Sequence, residues 1–121
     1  MNDQIIEAEI QVKGLTAPRI TPADIEANIV REYYITAEDG VMAAEGESST
    51  PESSPYCLAL LTFCVLVLRN GFTVTGESAC ASPENFDAQI GRTIARQNAV
   101  NKIWPLMGYE LKCRLSREAA E

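Results

Sequence analysis

Residues 57–78 read CLALLTFCVLVLRNGFTVTGES. From Cys57 to Arg69 the run is rich in β-branched and aromatic residues and apolar on both faces, and Asn70-Gly71 separates it from a second, alternating run. Asn-Gly between two such runs predicts a β-hairpin closed by a type I′ turn, in which both central residues need positive φ. A two-residue loop would pair Arg69 with Phe72, Val67 with Val74 and Val65 with Gly76, leaving Leu66, Leu68, Thr73 and Thr75 on the other face. A strand apolar on both sides needs two covers. A helix can supply one, and in a chain this small a second subunit can supply the other. The expected fold class is therefore α+β, an antiparallel hairpin or small sheet packed against two or three helices, assembled as a dimer or higher oligomer.

Upstream, Ile20-Thr21-Pro22-Ala23-Asp24-Ile25 carries a helix start: Thr21 as N-cap, Pro22 at the first helical position and Asp24 in the place of a capping-box acid. Ile25, Ile29 and Tyr33 recur every four positions, which predicts one helix over 22–35 with Glu26, Arg31 and Glu32 on its wet side. Residues 1–13 fit a strand or a frayed helix equally well. Residues 37–55 are rich in Ser, Glu, Gly and Pro and predict a flexible loop, either a plain connector or a lid that orders over a ligand.

Downstream, Ser82-Pro83-Glu84 predicts a second helix start, with Ile90, Ile94, Val100, Trp104 and Met107 on the core arc and Pro105 ending or kinking the helix near Trp104. Gly108 is then the expected C-cap, and the tail from Tyr109 a short closing helix.

The chain has 121 residues, 46% of them apolar, and reads as one domain over 1–121. With no histidine, Ser-His-Asp and Cys-His catalysis and histidine zinc sites are excluded. The four cysteines, Cys57, Cys64, Cys80 and Cys113, form no CxxC pair and read as reduced, buried thiols of a cytosolic protein. The acidic N-terminus lacks the pattern of a signal peptide, and the longest apolar run, Cys57 to Leu68, is too short to cross a membrane.

The formal charge is −7, and it is unevenly placed. Residues 1–56 carry three basic and eleven acidic side chains; residues 57–121 carry seven and six. Such a field opposes polymeric nucleic acid and anionic membrane. Between 88 and 117, however, Arg92, Arg96, Lys102, Lys112, Arg114 and Arg117 face only Glu110. Arg92 and Arg96 are four apart on one helix face, where two guanidinium forks can grip a phosphate. The alternatives are a solvated face or pairing with the acidic N-terminal half.

Asn70-Gly71-Phe72, Glu77-Ser78-Ala79-Cys80, Pro83-Glu84-Asn85-Phe86-Asp87, Ile90-Gly91 and Lys102-Ile103-Trp104 followed by Gly108-Tyr109 resemble the small tailed-phage protein family named for a gene product of phage N-four and gene sixty-six of phage Sf-six. The resemblance spans about residues 20–115. That family is similar to the first described class of Thoeris anti-defence proteins, sponges that hold cyclic ADP-ribose isomers, and in some cases cyclic oligonucleotides, without cleaving them. The resemblance implies ligand pockets built across a dimer interface by the hairpin and the basic helix. It implies phosphate contacts from Arg92 and Arg96, a polar contact from Thr75, a stacking ring from Phe72 or Phe86, and no cofactor.

Two further readings compete. An acidic phage early protein can occupy a basic surface on a host protein through residues 1–56. A phosphodiesterase would need a metal on Asp87, Glu77 and Glu84, which lack ligand spacing and suit helix caps better. The reading favoured is a non-enzymatic sponge in the bacterial cytosol.

Overall fold

The computed structural model describes residues 2–46 and 56–120. Four helices and a three-stranded antiparallel sheet make an α+β fold. The elements in chain order are α1 (Asp3–Val12), α2 (Pro22–Asn28), β1 (Ile29–Thr36), α3 (Ala37–Glu45), a 3-10 turn (Tyr56–Leu60), β2 (Leu61–Leu68), β3 (Thr73–Ala79), a second 3-10 turn (Pro83–Asn85) and α4 (Ala88–Ala120).

The start of α2 follows the sequence signal: Thr21 Oγ1 accepts from the Asp24 N–H at 3.1 Å, and Asp24 returns the bond to the Thr21 N–H at 2.9 Å. The predicted helix over 22–35 does not continue past Asn28. Residues Ile29–Thr36 instead pair antiparallel with β2, from Ile29 opposite Leu68 to Thr36 opposite Thr62. The spacing of four in Ile25, Ile29 and Tyr33 is also compatible with a strand after a break. The run IVREYYIT is β-branched and aromatic, and the unpaired edge of an apolar strand outweighs its weak helical preference.

The expected loop over 37–55 is corrected over its first part. A second capping box, Thr36 with Asp39, opens α3, so the last strand residue is also a helix cap. The rest of that loop, 47–55, lies outside the described residues.

β2 is central, between β1 and β3, which explains a strand apolar on both faces. The hairpin is present, but its register is one residue from that expected: Val67 pairs with Thr73, Leu66 with Val74 and Val65 with Thr75. Arg69, Asn70 and Gly71 form a three-residue loop in which Gly71 N–H donates to Leu68 O at 2.8 Å and only Gly71, at φ 89°, has positive φ. Asn70 instead accepts from the Phe72 N–H at 2.9 Å, so a type I turn followed by a left-handed glycine replaces the type I′ turn. Shifting the pairing moves Thr73 and Thr75 onto the face of Val65 and Val67.

The core lies between the sheet and α4. Cys64, Leu66, Leu68 and Val74 pack on Ala95, Ala99, Val100 and Ile103, with Ile25 closing one end. Gly76 faces the small residues of α4 so closely that a Cβ there would meet Ala95 O, Ala99 N and, at 2.9 Å, Ala99 Cα. This contact rotates α4 relative to the expected arc. Gly91, Ala95, Ala99, Val100 and Ile103 are buried, whereas Ile90 and Ile94 are exposed and Trp104 and Met107 only flank the core.

Ser82 makes no side-chain cap bond; α4 begins three residues after the Pro83 turn, where Asp87 Oδ1 accepts from the Ile90 N–H at 2.9 Å. Pro105 does not end the helix, Gly108 is no cap, and the tail is part of the same 33-residue α4. Of the cysteines only Cys64 is fully buried; Cys57 is exposed and the other two are half-buried, all four reduced. No described helix is long and apolar enough to cross a membrane.

The N-terminal segment, left open by the sequence, is helical. None of its side chains is buried, and α1 is tied down by polar contacts. Arg19 grips Glu7 bidentately at 2.6 and 2.9 Å, which lowers the Glu7 carboxyl to about 2, and Trp104 Nε1 donates to Asp3 at 3.2 Å.

Candidate functional site

The face of the sheet under α4 carries Glu32, Tyr34 and Thr36 of β1 beside Leu66, Cys64 and Thr62 of β2. The first turns of α4 project Gln89, Arg92, Thr93, Arg96 and Gln97 over that edge. Together with Glu32 and Tyr34 they line a cleft of about 460 Å³. Tyr34 and Arg92 also line a smaller recess, of about 60 Å³, that reaches Thr36, Asp39, Thr62 and Phe86.

The two candidate arginines differ sharply. Arg96 donates from Nη1 and Nη2 to both Glu26 oxygens at 3.0 and 2.8 Å, and from Nε to Glu32 at 3.0 Å. Those bonds raise the Arg96 pKa above its ordinary value and hold Glu26 below the usual carboxylate range. Arg96 is thus consumed by the acidic N-terminal half. Arg92 is exposed and has no hydrogen bond or ion pair among the described residues. The fork of Arg92 is thus available to an anion and that of Arg96 is occupied.

Phe86 stands near Arg92, with its ring edge 3.9 Å from where a Cβ on Gly91 would lie. Phe72 lies at the opposite end of β2, beside the turn, and is 57% exposed. Thr75 pairs with Val65 and faces away from α4, since its neighbour Gly76 faces toward it. The chain therefore joins Arg92 and Phe86 but not Thr75 or Phe72.

Pairing with the acidic N-terminal half, one of the alternatives open from the sequence, is what Arg96 does, although spacing could not single out Glu26 and Glu32 or place Tyr34 beside them. Tyr34 donates to Glu32 at 3.3 Å, and burial, with the Cys64 thiol and Glu32 carboxylate nearby, pushes its phenol up to about 12. It is a neutral, half-buried ring on the cleft wall. No cluster of three potential metal ligands occurs among the described residues, and Asp87 is occupied as a cap.

Removing Arg96 has a defined consequence. Arg96→Ala leaves Glu26 and Glu32 facing one another without a cation, and it should lower stability by about 1 kcal/mol, the screened value for a half-exposed cluster. Because the Glu26 pKa is lowered on folding, its contribution is present above the ordinary carboxylate value of 4.5 and lost as pH falls through the folded value. Urea unfolding at neutral pH and at pH near 3 checks this: the gap between wild type and Arg96→Ala should narrow in acid.

The family model described as Phage protein (N4 Gp49/phage Sf6 gene 66) family matches residues 20–115, from just before the first capping box to well into the second half of α4. No curated protein and no solved structure matches the chain.

Proposed function

The chain belongs to this phage protein family, and from that premise we propose that it binds and sequesters a small anionic nucleotide, an immune signal of the cyclic ADP-ribose or cyclic oligonucleotide type, without cleaving it. The observation that carries the proposal is Arg92, a guanidinium with no partner among the described residues, set at the mouth of a cleft beside two aromatic rings. A phosphate sits on Arg92, with the side-chain amides of Gln89 and Gln97 as neutral donors, while Phe86 and Tyr34 offer faces to a base. Arg96 holds Glu26 and Glu32 in place and acts on the ligand only through them.

The proposal includes a second copy of the chain in the host cytosol. Tyr33, Ile35, Phe63, Val65 and Val67 share the sheet face turned away from α4, and Tyr33 and Ile35 are 55% and 44% exposed. A second protomer seated there covers that face and brings a Thr75 side chain into an interface.

Thermal unfolding against cyclic ADP-ribose isomers and cyclic di- and trinucleotides tests the reading. A ligand at a hundred times its dissociation constant adds about 2.7 kcal/mol, a rise of several degrees. One class should produce that shift in the wild type and none in Arg92→Ala, with the nucleotide recovered unaltered. Flat curves across the panel would overturn the proposal in favour of a host-protein partner for the acidic half, and a linearised product would overturn it in favour of hydrolysis.

A further inference from the structure

A cleft of about 670 Å³ lies at the opposite end of the sheet from Arg92, where the end of α2, the β2–β3 turn and the second half of α4 meet. Its volume is in the range of ordinary small-molecule sites. Ile20 and Met107, both packed against the core, and Leu111 give it an apolar floor. Arg69 and Arg114 stand around it with two carboxylates, Asp24 and Glu110, while Arg19 on its rim is held by Glu7.

The polar groups here are turned to donate. Arg69 is held by one bond, from Nη2 to Ala27 O at 2.7 Å, and has no carboxylate partner among the described residues. Asn28 Oδ1 accepts from the Arg69 N–H at 3.1 Å, and Asn70 Oδ1 accepts from the Phe72 N–H at 2.9 Å. Each side-chain oxygen thereby holds one bond, and the amide N–H groups of Asn28 and Asn70 have no partner among the described residues. Of the carboxylates, Asp24 is engaged by the Thr21 capping box, and Glu110 is drawn to Arg114 at 3.0 Å. Surplus donors over an apolar floor match an anion that carries a flat or apolar body.

We infer that this cleft is a second ligand site, separate from the one at Arg92, for an aromatic phosphate about the size of a mononucleotide. The anion sits between Arg69 and Arg114, with the amide nitrogens of Asn28 and Asn70 as further donors, and the ring lies over Met107 and Leu111.

The probe is methylanthraniloyl-AMP, titrated into the full chain by fluorescence anisotropy at low salt. Binding should saturate, and Arg69→Gln should weaken it about tenfold through loss of a charge-assisted pair. Glu110→Gln removes the competing carboxylate and frees Arg114, so it should tighten binding about threefold, a gain that misfolding cannot produce. Because the Arg92 cleft can also take a nucleotide, the two variants are read again in an Arg92→Ala background, where the tenfold and threefold effects should persist. Equal affinity with and without Arg69→Gln and Glu110→Gln in that background, absence of saturation in the wild type, or loss of binding in Arg92→Ala would each overturn the inference.

Discussion

Gly76→Ala is expected to destabilise the protein by at least about 3 kcal/mol, at the upper end of what overpacking costs. The added methyl meets backbone rather than a flexible side chain: Ala95 O, Ala99 N and, at 2.9 Å, Ala99 Cα. No rotamer change relieves that contact. Either α4 lifts from β3 or the sheet bends away, and both open the core around Val74 and Ile103. Gly108→Ala is the matched control. A Cβ there meets nothing within 4 Å and sits inside α4, so helix propensity alone should raise stability by up to about 1 kcal/mol. Urea midpoints for the two variants should move in opposite directions, and a Gly76→Ala midpoint equal to wild type would mean that α4 does not rest on β3 as described.

Leu66→Ala carries the second large effect, about 3 kcal/mol and a fall in melting temperature of roughly 10 °C. Leu66 is fully buried at the middle of the central strand, between Glu32 and Val74 of its two neighbours. Strands on both sides fix its backbone, so the surrounding chain cannot close the void. Val65→Ala, one residue away on the other face, should cost clearly less, because Val65 is only half-buried. Two similar losses would place the tightly packed core on the wrong side of the sheet.

Local signals were legible where the chain answers to its immediate neighbours. Thr21 with Asp24 is a capping box because the two residues are three apart, and Asn70-Gly71 turns because Gly71 tolerates positive φ. Register and rotation depend on distant partners. Whether Ile29–Thr36 is helix or strand is decided by the edge of β2, some thirty residues on, and the buried face of α4 by Gly76, which gives the helix room only after β3 is in place. The same limit applies to the site. Arg92 and Arg96 look equivalent at a spacing of four, yet Arg96 finds carboxylates 64 and 70 residues away and Arg92 finds none among the described residues.

The uninterrupted passage of α4 through Pro105 divides that helix dynamically. Proline has no N–H, so the Asn101 carbonyl lacks its helical donor, and the ladder has a missing rung about halfway along roughly 50 Å of helix. On the N-terminal side lie Ala95, Ala99 and Ile103, sealed against the sheet; beyond it no residue is fully buried. Amide hydrogens around Ala95, Ala99 and Ile103 are expected to exchange only when the core opens, whereas those after the proline are expected to exchange by local fraying that leaves the sheet intact. One continuous helix is thus expected to hold two regions of different opening free energy, with Ala99 in the slow region and Arg114 in the fast one.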